Sequence, residues 1–90
     1  MYLHLGADVA VPVSRIVGIF DMENTTVSAH TRAFLTDAQK GGRVVNVTQE
    51  LPRSFVVCAH PVEGETVYIC QLSAATLLHR FEKARRGDFG

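Results

Sequence analysis

The chain is poor in several residue types: it has no tryptophan, two cysteines, three prolines and no net charge at neutral pH. With only five phenylalanines and two tyrosines as aromatic residues, the core must be packed mostly by leucine, isoleucine and valine. Nine basic residues balance nine acidic ones. Because monomeric nucleic-acid-binding proteins are usually strongly basic, this balance argues against a single copy binding nucleic acid unaided.

The chain also has no pattern of a signal peptide or a membrane span. Its first residues, MYLHLGADV, carry no basic region, and the short apolar run is interrupted by Gly6 and Asp8. No stretch approaches the roughly 18 consecutive apolar residues that a membrane-spanning helix needs. We therefore expect a cytoplasmic protein without membrane contact, in which Cys58 and Cys70 are free thiols rather than a disulfide.

The apolar pattern predicts a single small α+β domain over residues 1–84, followed by a frayed tail over residues 85–90. The elements follow the order β-β-α-β-β-β-α, with extended stretches predicted at residues 2–5, 9–20, 43–47, 54–59 and 66–70. Within residues 9–20, Pro12 has no N–H for a ladder bond, so the regular strand should begin near Arg15 or Ile16. Hairpin-length connections in the second half favour a mostly antiparallel sheet over a doubly wound one. Because a chain of ninety residues buries a limited share of its surface, we expect assembly into an oligomer to complete the core.

Two helices are predicted from their capping residues. Ser28 is suited to the N-cap of a helix that ends near Lys40, and the glycine pair at residues 41 and 42 would stop it. Ser73 or Thr76 can cap a second helix at the C-terminus. Both segments repeat their apolar residues with helical spacing, so each helix should bury one face.

The segment RIVGIF, residues 15–20, predicts a core strand with an arginine at its start. The continuous apolar run indicates burial on both faces, and Gly18 indicates close approach of another backbone or helix. Arg15 must then place its head group at a rim or an interface. Arg53 stands in the same position before the apolar strand SFVVC. The two arginines could form one patch that binds phosphate, or they could pair with acids of a neighbouring subunit.

The polar segment that follows, DMENTT, fits a turn better than a cation site. A calcium loop of the EF-hand type needs glycine at its sixth position and a bidentate glutamate at its twelfth. Counted from Asp21, those positions hold Thr26 and Arg32. Short polar side chains that bond to the local backbone are typical of turns, which is the interpretation that we favour.

A zinc site or a cysteine nucleophile is the alternative chemistry that the residue types allow. Cys58, His60 and Cys70, together with His30 or His79, could supply four ligands, but their spacing matches no common zinc pattern. Both cysteines lie within apolar strands, where buried structural thiols are more frequent. We therefore expect no enzyme activity, no metal and no cofactor.

Five segments together resemble one family: MYLHLGAD, RIVGIFDMENT, TRAFL, LPRSFVV and VYICQLSAATLLHR. In this order and spacing they are similar to the RemA/RemB family of bacterial extracellular-matrix (biofilm) regulators, and more similar to its RemB branch. The resemblance implies a cytoplasmic, non-enzymatic protein that acts in transcriptional control and assembles with itself into a ring. It also implies DNA binding through arginines, as in the RemA branch.

Carried over residue by residue, the resemblance assigns DNA-phosphate contacts to Arg15 and Arg53, which match basic positions before the two apolar strands. Arg32 and Arg43 would assist by their charge. Contacts repeated around a ring would give an avidity that one subunit lacks.

One departure from the family pattern supports a second function. Where the RemA branch has adjacent arginines before the second apolar strand, this chain has Glu50 and Leu51. A carboxylate at that position would repel phosphate. The alternative is an assembly or adaptor protein that oligomerises, alone or with a basic paralogue, and does not bind DNA itself.

Overall fold

The computed structural model describes residues 1–23 and 28–87. Its elements in chain order are β1 (Tyr2–Gly6), β2 (Val9–Pro12), a 3₁₀ turn (Val13–Arg15), β3 (Ile16–Asp21), α1 (Ala29–Lys40), β4 (Val44–Asn46), β5 (Ser54–His60), β6 (Gly64–Cys70) and α2 (Ala74–Arg85). The predicted α+β class with two helices is confirmed. Among the helices in the described ranges, none is long and apolar enough to span a membrane.

The strands form a hairpin and a four-stranded sheet. β1 and β2 pair in the antiparallel direction, and the larger sheet has the order β3-β5-β6-β4. Within it β5 is antiparallel to both β3 and β6, whereas the short β4 is parallel to β6. The predicted hairpin in the second half of the chain is thus β5–β6, and the sheet is mixed at its β4 edge.

Both helices begin at the expected residues, and α1 ends at Lys40 as predicted. The Ser28 hydroxyl accepts the Thr31 N–H at 3.1 Å, and the Ser73 hydroxyl accepts the Thr76 N–H at 3.1 Å. Each bond satisfies one of the N–H groups that the first helical turn leaves unpaired. After α1 the chain turns through Gly42, whose φ of 69° favours glycine. α2 extends to Arg85, one residue beyond the predicted end of the domain.

The two helices contribute to cores on opposite faces of the sheet. The face that carries α2 and the β1–β2 hairpin buries Leu3, Leu5, Val11, Val47, Val56, Cys58, Cys70 and Leu77. The face that carries α1 buries Ala38, Phe55, Val57 and Val67. Since successive residues of β5 alternate between these two cores, both of its faces are covered, and with β6 it is one of the two central strands of the larger sheet.

The segment predicted as one extended stretch, residues 9–20, is two strands. Pro12 ends β2, because its ring nitrogen has no hydrogen to donate to a further ladder bond. The chain then makes the 3₁₀ turn, and β3 begins at Ile16, which confirms the start that the position of Pro12 predicted. The observed order therefore has one strand more than the predicted order in this part of the chain.

The prediction that β3 is buried on both faces is wrong, because β3 lies at the edge of the sheet. Val17 remains 64% exposed and Phe20 44% exposed. The pairing register shifts between Ile16 and Gly18, so Val17 is an extra residue that projects from a bulge. The close neighbour of Gly18 is a side chain, since an added Cβ would lie 2.6 Å from the Phe20 ring.

Candidate nucleic-acid interface

Arg15 and Arg53 lie at opposite ends of the sheet. β3 and β5 run antiparallel, and Asp21 at the end of β3 pairs with Ser54 at the start of β5. Arg53 is therefore beside the end of β3, whereas Arg15 precedes its start. The strand between them spans roughly 17 Å at about 3.3 Å per residue. The hypothesis that both arginines form one patch within a single chain is wrong.

Arg53 forms an ion pair with an acidic side chain of its own chain. The Arg53 Nε donates a hydrogen bond to the Glu23 carboxylate, and the two side chains form an ion pair. This hydrogen bond and the carboxylate charge raise the pKa of the Arg53 guanidinium. The Met22 N–H donates to the Arg53 carbonyl at 3.0 Å, which fixes the two segments together. The positive charge of Arg53 is thus largely offset before any ligand arrives.

Asp21, the last residue of β3, forms the local side-chain bond to the backbone that the sequence predicted. The Asp21 Oδ1 accepts the Glu23 N–H at 2.7 Å, a side-chain bond to the backbone two residues on that is typical of turns. It positions Glu23 for its ion pair with Arg53. The rest of the predicted turn, residues 24–27, lies outside the described residues.

Arg43 and Arg32, the two assisting residues, lie in different surroundings. Arg43 contacts Asp37 at 2.9 Å and Glu65 at 3.5 Å, so two carboxylates offset its charge. Arg32 is exposed on α1, and its side chain forms no ion pair with any residue in the described ranges.

Arg43, which precedes β4, lies at the same end of the sheet as Arg15. The Arg43 carbonyl accepts the Val67 N–H at 2.8 Å in the middle of β6, and the Arg43 guanidinium contacts Glu65 at 3.5 Å, nearer the start of that strand. Residues at the start of β6 also line the cleft that contains Arg15. Of the four predicted arginines, these two therefore share one end of the sheet.

Arg15 lines an open cleft of about 280 Å³ on the α2 side of the sheet. The other lining residues are Val11, Pro12, Cys58, Ala59, His60, Glu63, Gly64, Thr66 and Tyr68. Within the described part of the chain, Arg15 forms no ion pair, although Glu63 places a carboxylate on the same cleft. Arg15 thus combines partial exposure with an available charge.

The cleft offers hydrogen-bond donors that suit an oxyanion. A guanidinium binds phosphate or carboxylate oxygens with two parallel hydrogen bonds, and the Thr66 and Tyr68 hydroxyls can add further donors. The Tyr68 hydroxyl is protonated at neutral pH, as that of any tyrosine is, and burial raises its pKa further. Sequence reasoning missed these two residues. The hairpin register would have found Thr66, which pairs with Cys58 on the neighbouring strand.

His60 and Cys58 at the cleft, and Cys70 at the other end of the hairpin, have structural surroundings. The His60 Nδ1 accepts the N–H groups of Val62 at 3.1 Å and Glu63 at 3.0 Å, which closes the turn between β5 and β6. Cys58 and Cys70 are free and buried, as predicted. Burial raises the pKa of Cys58, and it raises that of Cys70 to about 11, which keeps both thiols protonated at neutral pH.

The residues of the alternative zinc hypothesis do not meet at one point. Cys58 pairs with Thr66, and Cys70 pairs with Ser54 at the other end of the same two strands. No group of three or more histidine, cysteine, aspartate or glutamate side chains in residues 1–23 and 28–87 is placed to hold a metal ion.

Comparison with known families identifies the chain. A family model for RemA-like proteins, described as extracellular matrix regulatory protein A-like, matches residues 2–81. The chain therefore belongs to the RemA-like family of extracellular-matrix regulatory proteins. This confirms the family that the motifs indicated, and it does not distinguish the RemB branch. No curated protein gives a significant match to the chain.

Proposed function

We propose that this chain is a cytoplasmic transcriptional regulator of extracellular-matrix genes that assembles into a ring and binds DNA through phosphate contacts. It needs no enzyme activity, metal or cofactor for this function. Membership of a matrix-regulatory family supports the regulatory part of the proposal. The observation that carries the DNA contact is the Arg15 side chain, which lines an open cleft and has no ion pair among the described residues.

The four arginines differ in their expected contribution to DNA binding, because their surroundings differ. Arg15 is the principal phosphate contact, and Arg32 on the exposed face of α1 can assist it. Arg53 contributes less because it forms an ion pair with Glu23. Arg43 contributes less because it forms ion pairs with Asp37 and Glu65. With one strong contact per subunit and no net charge, a single copy binds weakly, and contacts repeated around an assembly supply the avidity.

The experiment that tests this proposal compares Arg15→Ala with Arg53→Ala in binding to a generic DNA duplex at several salt concentrations. We expect Arg15→Ala to weaken binding more, and to reduce the salt slope by about 0.9 for each phosphate that the variant no longer neutralises. Arg53→Ala should have the smaller effect, because its charge is already offset. Circular dichroism checks that both variants are folded. Unaltered DNA affinity in both variants would falsify the DNA assignment.

An adaptor function is the second candidate, and the loop before β5 favours it. Glu50 is exposed there, where its N–H donates to the Thr48 hydroxyl at 2.9 Å, and Leu51 is 83% exposed. An exposed acid beside an exposed leucine suits a protein partner better than phosphate. A large assembly that ignores DNA even at low salt would favour this function, with a basic paralogue as the first partner to test.

A further inference from the structure

The cleft that contains Arg15 brings together three polar side chains without a partner in the described chain. Arg15, Thr66 and Tyr68 line it, and none of their side chains forms a hydrogen bond or an ion pair with any residue in 1–23 or 28–87. All three residues are half-buried. Folding has therefore removed part of their hydration without supplying a protein partner, and the polar groups of a ligand can take that place.

The strand pairing explains why these three groups meet. Ile16 pairs with Cys58, so Arg15, one residue earlier, lies beside the end of β5. On the other side of β5, Cys58 pairs with Thr66. Thr66 and Tyr68 are two residues apart on β6, so their side chains point to the same face. The backbones of β3 and β6 are roughly 10 Å apart, at about 4.8 Å per strand, which leaves room for a small ligand between the guanidinium and the two hydroxyls.

Glu63 adds a carboxylate to the same cleft. Burial raises the pKa of Tyr68, and the charges of Cys58 and Glu63 raise it further, so the carboxylate acts on the Tyr68 hydroxyl at close range. No ion pair joins Glu63 to Arg15 or to any other residue that the structure describes. The cleft thus carries a cation and an anion that are not paired with each other.

The charges of the lining select among ligands. The His60 Nδ1 accepts two backbone N–H groups, so this nitrogen carries no proton and the imidazole is uncharged. Arg15 and Glu63 then leave the lining without net charge. A phosphate dianion needs more positive charge than this lining supplies. A molecule with one carboxylate and one ammonium group complements both charged side chains.

From these observations we infer that the Arg15 cleft is a binding site for a small zwitterion of the α-amino acid class. The ligand carboxylate accepts two hydrogen bonds from the Arg15 guanidinium and further ones from the Thr66 and Tyr68 hydroxyls. Its ammonium group donates to the Glu63 carboxylate. The cleft volume of about 280 Å³ lies at the small end of the range of about 300–1,000 Å³ that is typical of ligand pockets, which suits a ligand of this size.

The test is isothermal titration calorimetry of the wild-type protein in the absence of DNA. Each standard L-amino acid is titrated separately, and acetate, methylamine and inorganic phosphate serve as probes that carry only one kind of charge. We expect at least one amino acid to bind at least about tenfold more tightly than any of these three probes. No binding by any amino acid, or tighter binding by phosphate, would overturn the inference.

Two variants locate the bound amino acid. Arg15→Gln should weaken its binding at least about tenfold, because the bidentate contact is lost. Glu63→Gln should weaken it severalfold and strengthen the binding of phosphate, because the variant removes the partner of the ammonium group and the charge that repels phosphate. Glu50→Gln is the matched control: it removes the same charge at an exposed position before the start of β5, at the other end of that strand, and should bind as the wild type does.

Circular dichroism checks that the variants are folded. If Arg15→Gln is not folded, Tyr68→Phe replaces it, because this change keeps the ring and removes only the hydroxyl. It should weaken the binding of the amino acid severalfold. A folded Arg15→Gln or Glu63→Gln with the amino-acid affinity of the wild type would show that the ligand does not bind in this cleft.

Competition between the amino acid and DNA is a consequence that rests on the proposed function, because both ligands then need Arg15. The amino acid should lower the affinity of the wild type for a DNA duplex. If it binds and leaves the DNA affinity unchanged, Arg15 is not the DNA contact, and the cleft remains an amino-acid site. The calorimetric test contains no DNA, so a failure of the DNA-binding proposal does not affect its outcome.

Discussion

β3 and β5 are neighbouring strands of similar composition, each preceded by an arginine, and their surroundings differ. β5 has a strand on each side, and its residues from Ser54 to Cys58 are buried. β3 has a strand on one side only among the described residues, and Val17 and Phe20 remain exposed. An apolar run therefore indicates that a strand can be buried. The position of the strand in the sheet decides how much of its surface the rest of the chain covers.

The two arginines differ in the same way. Arg53 precedes the central strand and is held by Glu23, so it helps to fix the segment after β3 against the start of β5. Arg15 precedes the edge strand and lines an open cleft. The arginine with structural partners is thus the less available of the two for a ligand.

The largest expected effect is on the free energy of unfolding, for a buried residue of β5 compared with an exposed residue of β3. Val56→Ala should lower the free energy of unfolding by about 2 kcal/mol, because it removes two methyl groups from a side chain with no exposed surface. Val17→Ala should change it by less than about 0.5 kcal/mol. Urea unfolding at one dilute protein concentration measures both. Equal losses would show that β3 is as buried as β5 in solution.

The buried thiol beside the central strand gives a pH dependence. Burial raises the pKa of Cys70 to about 11, whereas an unfolded cysteine has a pKa of about 8.5. Between these values the unfolded chain loses a proton that the folded chain keeps, so stability is full below about pH 8.5 and falls as pH rises.

The expected slope is at most about 1.4 kcal/mol per pH unit for this thiol. Urea unfolding between about pH 8 and pH 10.5 measures the slope on either side of the unfolded pKa, with Cys70→Ala as the control that removes its contribution. If wild type and control lose stability in parallel, the thiol is exposed or ionised in the folded protein.

The smallest expected effect concerns the ion pair between Arg53 and Glu23. Glu23→Gln removes the carboxylate that holds Arg53, so we expect DNA affinity to rise severalfold and the salt slope to steepen by about 0.9 for each additional phosphate neutralised. In an Arg53→Ala background the same change should do nothing. Salt-dependent binding of the single and double variants completes the cycle. A rise that persists without Arg53 would mean that Glu23 acts by repelling phosphate directly.

Sequence reasoning predicted the features that depend on neighbouring residues. The caps at Ser28 and Ser73, the turn chemistry of Asp21 and the hairpin after β5 all arise within a few positions of the chain. The family also followed from the order of short motifs.

Sequence reasoning did not predict the contacts between segments that are distant along the chain. The ion pair of Arg53 joins residues 30 positions apart, and no local pattern indicates it. The edge position of β3 depends on strand order. The separation of Arg15 from Arg53 depends on the direction in which β3 and β5 pair, which two similar apolar runs do not specify.

The order of strands in the sheet also has a kinetic consequence. β5 and β6 are joined by a three-residue turn, so they can pair after closing a very short loop. β3 reaches β5 only after the chain has passed through α1 and β4, which costs more entropy before any contact forms. The β5–β6 hairpin can therefore nucleate folding, and the strand that joins it late is the one with a free edge. During synthesis β3 emerges before β5, so it is the first strand of the larger sheet to appear and must wait for its partner.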